Sequence, residues 1–488
     1  MSNKQNFPLK TLLAAGLAIA IVGCSEKAEE AADTGMTATD ETVVEAPVEV
    51  ADTAPVADNP FLAEWDTPYG IPPFDSIEDG HYRPAFDQGV EELKADIAAI
   101  RDNAEEPTFE NTFEALELAG PLLSKVMGTF GNISNTDTND ALQEMEVEFY
   151  PQLTKVRDGI MMDPVLFERV KTVYDTRESL GLDEQEMRLV ELYHRDFVRR
   201  GAMLDEDTKA RVKEINARVS ELNTVFGQNL LKQTKSFELL VTDEADLAGL
   251  PDNMIGSAKA KAESKGKEGW IFGLDRGTYE GFMTFADNRE LRKQLNAGYI
   301  SRGAQGDEQD NRDVLTEIAK LRAERAQLMG YDNHAAYVLE YNMAKTPEKV
   351  ESFLAEVWEP GVNKAEQELA EMQQIVQEEG HDFIIEQHDW WYYAEKLRQK
   401  KYALDAEVVK PYFEMGNVRD GAFHVANKLF GVTFEPLNDV PVWNPVVQPY
   451  AVHDDDGSFL GVFMLDYYAR DSKRGGAWMS TYRDSSNV

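Results

Sequence analysis

Residues 212–230 read VKEINARVSELNTVFGQNL, and their apolar members Val212, Ile215, Val219, Leu222, Phe226 and Leu230 recur at steps of three and four. That spacing matches the 3.6-residue turn and predicts an amphipathic helix with one buried stripe. Further along, Thr346-Pro347-Glu348 predicts a helix start: an N-cap hydroxyl, a proline at the first helical position and an acid at the positive dipole end. The helix it opens carries Leu369, Met372 and Val376 toward Gly380, the expected stop, with a kink expected at Pro360. Strand signals are sparse until Val447–Val452 and Phe459–Met464, which flank His453-Asp454-Asp455-Asp456-Gly457. Asp-Gly between two apolar runs predicts a hairpin. No fixed-period repeat recurs, which argues against a solenoid. The expected class is mainly α, with a small β-hairpin or sheet near the C-terminus.

Composition agrees with a folded chain. Of 488 residues, 42% are hydrophobic and 28% charged, which excludes disorder over most of the length. A mean hydropathy of −0.46 excludes a polytopic membrane protein. The 89 acidic residues against 49 Lys and Arg leave a formal charge of −40. A field of that sign repels phosphate backbones, so no nucleic-acid partner is expected. A well-solvated surface accounts for the excess.

The single cysteine, Cys24, can form neither an internal disulfide nor a cysteine-based zinc site. It follows Lys4, Lys10 and an apolar run from Thr11 to Gly23, too short for a comfortable span but suited to a signal peptide. Ile21-Val22-Gly23-Cys24 resembles the lipobox of bacterial lipoproteins, and that resemblance implies cleavage before Cys24 and lipidation of it. The alternative is a chance cysteine after an uncleaved anchor. The lipoprotein reading gives a signal peptide over 1–23 and a membrane contact through the lipid. With Ser25 rather than Asp next, it places the chain in the bacterial cell envelope, at the outer membrane facing the periplasm. Residues 24–58 read as an acidic, disordered tether, without an aromatic residue and with Pro47 and Pro55.

Residue by residue, no catalytic site emerges. The seven histidines include no pair four apart, so the HExxH zinc helix is absent. Glu191 to His194 and Glu378 to His381 are Glu-x-x-His steps of the kind di-iron bundles use, but Gly380 interrupts the second and chance matches are expected among so many acids. His388 and Asp389 precede Trp390, Trp391, Tyr392 and Tyr393, either an aromatic binding wall or helix-packing aromatics after a polar helix start. No G-x-S-x-G elbow supports a serine triad, and the lysines at 259, 261, 265 and 267 read as a solvated loop.

Longer motifs carry a resemblance. Phe74-Asp75, His81-Tyr82-Arg83-Pro84-Ala85-Phe86 and Pro107-Thr108-Phe109-Glu110-Asn111-Thr112 open the series. Asp196-Phe197-Val198-Arg199-Arg200-Gly201-Ala202, Asn288-Arg289-Glu290-Leu291-Arg292 and Leu321-Arg322-Ala323-Glu324-Arg325-Ala326 follow it. Trp391-Tyr392-Tyr393-Ala394-Glu395-Lys396, Asp466-Tyr467-Tyr468-Ala469-Arg470 and Lys473-Arg474-Gly475-Gly476-Ala477-Trp478-Met479 close it. Together, from about residue 59 onward, they resemble the M3 metallopeptidases of the dipeptidyl carboxypeptidase (peptidyl-dipeptidase) and oligopeptidase A type, the former more closely through KRGGAWM.

The resemblance implies an elongated, two-lobed helical body around a channel, with an N-terminal helical domain over 59–280 and the first part of the peptidase domain over 281–488. It implies Zn2+ in the complete enzyme, held by the two histidines of HExxH and a later glutamate, with water attacking the peptide carbonyl. In family order those ligands lie beyond KRGGAWM, so no catalytic or metal residue is assigned in this chain, which reads as lacking the catalytic part and inactive alone. The expected function is a lipid-anchored peptidyl-dipeptidase releasing C-terminal dipeptides from oligopeptides. The alternative is a non-catalytic, lipid-anchored peptide-binding or scaffold lipoprotein. Gly475, Gly476 and Ala477 are the candidate substrate-binding residues. Two glycines suit a channel-lining edge strand that an extended peptide approaches, and equally a tight turn needing positive φ.

Overall fold

A computed structural model describes residues 59–403 and 406–484. Cys24 and the acidic tether lie outside the described residues. About 64% of the structure is helical, so the chain is mainly α, as its periodicity predicts. No helix among the described residues is long and apolar enough to cross a membrane.

The first helices are α1 (Asp79–Arg101), α2 (Pro121–Thr136) and α3 (Asp140–Met161). They bury Tyr82, Phe86, Leu123, Phe130, Leu142 and Phe149 in one core, where Phe86 and Phe149 stack with centroids 4.0 Å apart. Next come α4 (Pro164–Thr176) and α5 (Glu184–Arg200), closing a second core around Phe113, Leu166, Val170, Val190 and Phe197. The stripe quoted above lies on α6 (Glu206–Ser236), which starts where Asp205 accepts from the Thr208 N–H at 2.9 Å. Val212, Ile215, Val219 and Leu222 are buried, whereas Phe226 and Leu230 are only half-buried. Gln228 goes inside in that stretch, donating to the Gln143 carbonyl at 2.6 Å, because α6 there crosses the polar face of α3.

A two-stranded ribbon, β1 (Leu239–Val241) with β2 (Trp270–Phe272), encloses α7 (Asp252–Ser264) in sequence and packs with α8 (Arg276–Phe285) and α9 (Arg289–Ile300). Then α10 (Arg312–Leu328) lies against α6. The long α11 (Pro347–Glu378) begins as expected, with the Thr346 hydroxyl accepting from the Lys349 N–H at 3.3 Å. It runs on through Pro360 as one helix and stops before Gly380, whose φ is +83°. After α12 (Trp390–Tyr402) and α13 (Met415–Phe430) the chain forms its antiparallel sheet, ordered β3 (Thr433–Pro436), β4 (Gln448–His453), β5 (Phe459–Leu465). Asp454 and Gly457 close the β4–β5 turn, the Gly457 N–H donating to the Asp454 carbonyl at 3.0 Å.

Candidate functional site

The candidate substrate residues follow β5, and no strand forms there. Beyond Leu465 the described chain is irregular, and Gly475, Gly476 and Ala477 lie exposed in a bend. Gly476 has φ +122°, a backbone that residues with a Cβ rarely adopt. In this structure Gly475 and Gly476 form a bend, and of the two only Gly476 takes the positive φ that the turn alternative requires. Among the described residues β5 is an edge strand of the sheet, pairing with β4.

Around that bend the chain is clamped to the N-terminal helices. Asp466 accepts from Arg470 at 2.7 and 2.8 Å and lies 3.1 Å from the Lys473 ammonium. Burial pushes its carboxyl up, but the bonds and charges of Arg470 and Lys473 outweigh burial and hold it below the ordinary value. Arg470 also donates to the Thr136 carbonyl at 2.5 Å, at the C-terminus of α2. Asp137 accepts from the Ser472 hydroxyl at 2.5 Å, and the Arg474 N–H reaches the Asn135 carbonyl at 2.9 Å. The Arg474 guanidinium grips Glu146 at 2.8 and 3.0 Å, and that carboxylate, 1% exposed on α3, also takes a bond from Gln228. Tyr482 wedges between Phe74 and Trp443, with centroids 5.4 and 5.7 Å away.

A second clamp explains two more motifs. Asp389, fully buried before α12, accepts from Arg289 at 2.7, 2.9 and 3.1 Å and from Arg292 at 2.9 Å. Arg292 is 1% exposed and also donates to the carbonyls of Ala286, Asp287 and His388 at 2.7, 3.1 and 3.2 Å. Its guanidinium lies 4.1 Å from the Tyr392 ring centroid. Of the aromatic run, Tyr392 thus packs on Arg292, while Trp390 and Tyr393 join the core that Met372, Ile375 and Val376 form. Arg199 similarly donates to the Tyr337 carbonyl at 2.6 Å and pairs with Glu340. Chemically these arrangements position backbone. Their carboxylates are held by arginine and lysine cations.

The implied zinc finds no fitting donor set here: among the described residues no three His, Cys, Asp or Glu side chains gather as a metal could use them. Several histidines stand apart from one another. His81 Nδ1 accepts from the Glu78 N–H at 3.0 Å, and His194 stacks on Tyr174 at 3.8 Å. Burial, with Arg325 and Arg322 nearby, pushes His334 down to about 4. His388 Nε2 sits 3.6 Å from Asp389 without a hydrogen bond. In the two Glu-x-x-His steps, Glu191 pairs with Arg188 at 2.9 Å and Glu378 with Lys400 at 2.6 Å. Reading the sequence alone missed Glu146, Asp137 and the Arg289–Asp389 pairing. The first two stand in no recognised motif, so nothing local marks them.

Residues 282–487 match peptidase family M3. The chain is 38% identical over 432 residues to dipeptidyl carboxypeptidase of Escherichia coli (strain K12), covering 88% of this chain and 63% of that protein. Dipeptidyl carboxypeptidase of Salmonella typhimurium is likewise 38% identical, with 88% and 64% covered. Oligopeptidase A of E. coli is 31% identical, with 86% and 62% covered. This chain thus spans a little under two-thirds of the length of these relatives. The comparisons correct the expected envelope location. The dipeptidyl carboxypeptidases and oligopeptidases A similar to this chain are cytoplasmic enzymes, and Cys24 itself lies outside the described residues. That expectation rested on a short N-terminal pattern alone, whereas the likeness to the relatives extends over most of the chain. The M3 match over residues 282–487, with the likeness to these relatives over most of the chain, shows that this chain carries a peptidase family M3 region.

Proposed function

We propose that the chain forms the substrate-facing helical body of a peptidyl-dipeptidase, which removes C-terminal dipeptides from oligopeptides. The observation that carries this reading is the 38% identity to dipeptidyl carboxypeptidases over 88% of the chain, against 31% to oligopeptidase A. In this reading residues 59–280 are the N-terminal helical domain and 281–488 the first portion of the peptidase domain. Family M3 enzymes use zinc, and zinc supplies an activated water and a polarised carbonyl. The described residues carry no donor set for it, so their part is to bind and orient the peptide. Gly475, Gly476 and Ala477 present exposed backbone for that purpose, and a Cβ built at Gly475 would meet nothing within 4 Å.

The test is a chimera joining this chain to the part of the E. coli dipeptidyl carboxypeptidase that follows the matched region. Incubated with zinc and an N-blocked oligopeptide, it is expected to release C-terminal dipeptides, read by mass spectrometry and abolished by a chelator. Gly475→Val should raise KM with little change in Tm. The chain alone is expected to leave the peptide intact. Internal cleavage by the chimera, or chelator-sensitive dipeptide release by the chain alone, would refute the assignment.

A further inference from the structure

Although acids outnumber Lys and Arg by 89 to 49, one group of cations in the helical body goes without carboxylate partners. Arg157 of α3, Arg200 at the end of α5, Lys213 of α6, and Arg322 and Arg325 of α10 form no ion pair among the described residues. Their helices pack together: α6 lies against α3 and α10, and α5 against α3. Asp158, 2% exposed, stands among them and accepts from the Asn216 amide at 2.9 Å. Asn216 accepts in turn from Arg325 Nη1 at 2.8 Å, so one polar chain crosses three helices. Burial pushes the Asp158 carboxyl up, against the pull of the Asn216 bond and of the charges on Arg200, Lys213 and Arg325. Arg157 lies within electrostatic reach of the Arg200 cation and of Asp158 and Asp196, and Asp196 is itself engaged by Arg195 at 2.8 Å. Two donors in the group are buried and unused: Arg325 Nε and His334 Nδ1 have no hydrogen-bond partner among the described residues. His334 opens the short helix that follows α10 and feels the charges of Arg325 and Arg322. Its ring is uncharged at neutral pH and can carry its proton on Nδ1, where it donates. Buried donors left unmade are costly, and so are like charges held close together.

We propose that the junction of α3, α5, α6 and α10 binds a tetrahedral oxyanion, inorganic phosphate or a phosphate monoester, between Arg325 and His334. Arg325 Nε–H and His334 Nδ1–H donate to its oxygens, and Arg200, Lys213 and Arg322 balance its charge. A guanidinium suits an oxyanion better than a spherical ion, because its planar N–H groups match two oxygens at once. Arg157 is exposed and Arg200, Lys213 and Arg322 are half-buried, so the site is open to solvent on one side. The anion acts as a ligand of the fold, tying α10 and the short helix after it to α3 and α6, and it stabilises by mass action without reacting. The site shares no residue with the bend at Gly475 and Gly476 or with the Asp389 clamp.

The experiment uses the full chain in buffer free of phosphate and sulfate, with ionic strength held constant by sodium chloride. Inorganic phosphate is titrated by isothermal calorimetry, and Tm is read with and without it. One phosphate per chain is expected, with a Tm that rises with phosphate concentration. Arg322→Gln and Lys213→Gln should each raise Kd about tenfold or more, the worth of one charge-assisted bond. Without phosphate each should leave Tm unchanged or raise it, since a repelling cation is gone, a response that a purely structural role would not give. Arg322→Lys keeps the charge and should recover most of the affinity. Lys259→Gln, on an exposed cation of α7, should leave Kd unchanged. AMP in place of phosphate separates the two sources: tighter binding assigns the site to a phosphate ester and weaker binding to the free ion, and both uphold the oxyanion site. No saturable binding, a rise in Tm that chloride alone reproduces, or binding that both glutamine variants keep overturns the proposal. A lower phosphate-free Tm in both variants also overturns it, because the cations then serve packing alone.

Discussion

Asp389→Ala removes the carboxylate that Arg289 and Arg292 share. Arg292 is 1% exposed and cannot turn to water, so its charge stays buried with three backbone carbonyls as its remaining acceptors. Breaking a buried pair by deleting one partner costs about 3–5 kcal/mol, and those three carbonyls place this case near the lower end. Arg289 is 34% exposed and can re-solvate, so its lost contacts add only about 0–1 kcal/mol. A total near ~3 kcal/mol is a large fraction of an ordinary stability of about 5–15 kcal/mol. Urea unfolding followed by the fluorescence of the adjacent Trp390 and Trp391 measures it. Arg292→Met, alone and combined with Asp389→Ala, completes a double-mutant cycle. The double variant is expected to cost less than the two singles summed by roughly 1–3 kcal/mol, since the orphaned charge is gone. Additivity within about 0.5 kcal/mol, or an Asp389→Ala cost under about 1 kcal/mol, would refute the clamp as the element joining α9 to α12.

Three further outcomes are expected. Asp466 is held below the ordinary carboxylate value, so its contribution is full above about pH 3.9 and is lost as pH falls through the lower folded-state value. Exchange protection of the Thr138 and Arg474 amides, which bond Ser472 and Asn135, should fall on that acid limb in the parent chain but not in Asp466→Asn; equal pH profiles would count against the hub. Glu146→Ala leaves Arg474 unpaired at a 33% exposed site and strips Gln228 of an acceptor, and is expected to cost about 1–3 kcal/mol by urea unfolding, while an unchanged midpoint would deny the clamp. The Tyr482 hydroxyl is buried without a partner among the described residues, so Tyr482→Phe is expected to be neutral or to stabilise by up to about 1–3 kcal/mol; a lower Tm would show that the hydroxyl has an acceptor.

Local chemistry was legible in the residues themselves. The α11 start at Thr346-Pro347, its stop before Gly380, the β4–β5 hairpin at Asp454–Gly457 and the first half of the α6 stripe each follow from a few neighbouring residues. Caps, turns and periodicity act over one or two turns of chain, so the sequence determines them. The family was legible too, through motifs spread from Phe74 to Met479. What those motifs do was not. Arg474 meets Glu146 across 328 residues, and Arg292 meets Asp389 across 97. Such pairs form only when helices far apart in sequence pack together, and burial then makes the pairing obligatory by raising the cost of an isolated charge. The same cause turned α6 so that Gln228 rather than Phe226 faces inward, against Gln143 and Glu146. It also decided that Gly475 and Gly476 form an exposed bend and that half of the α11 stripe stays open. Sequence period sets which face of a helix is apolar, and only the packed structure decides how much of that face finds a partner.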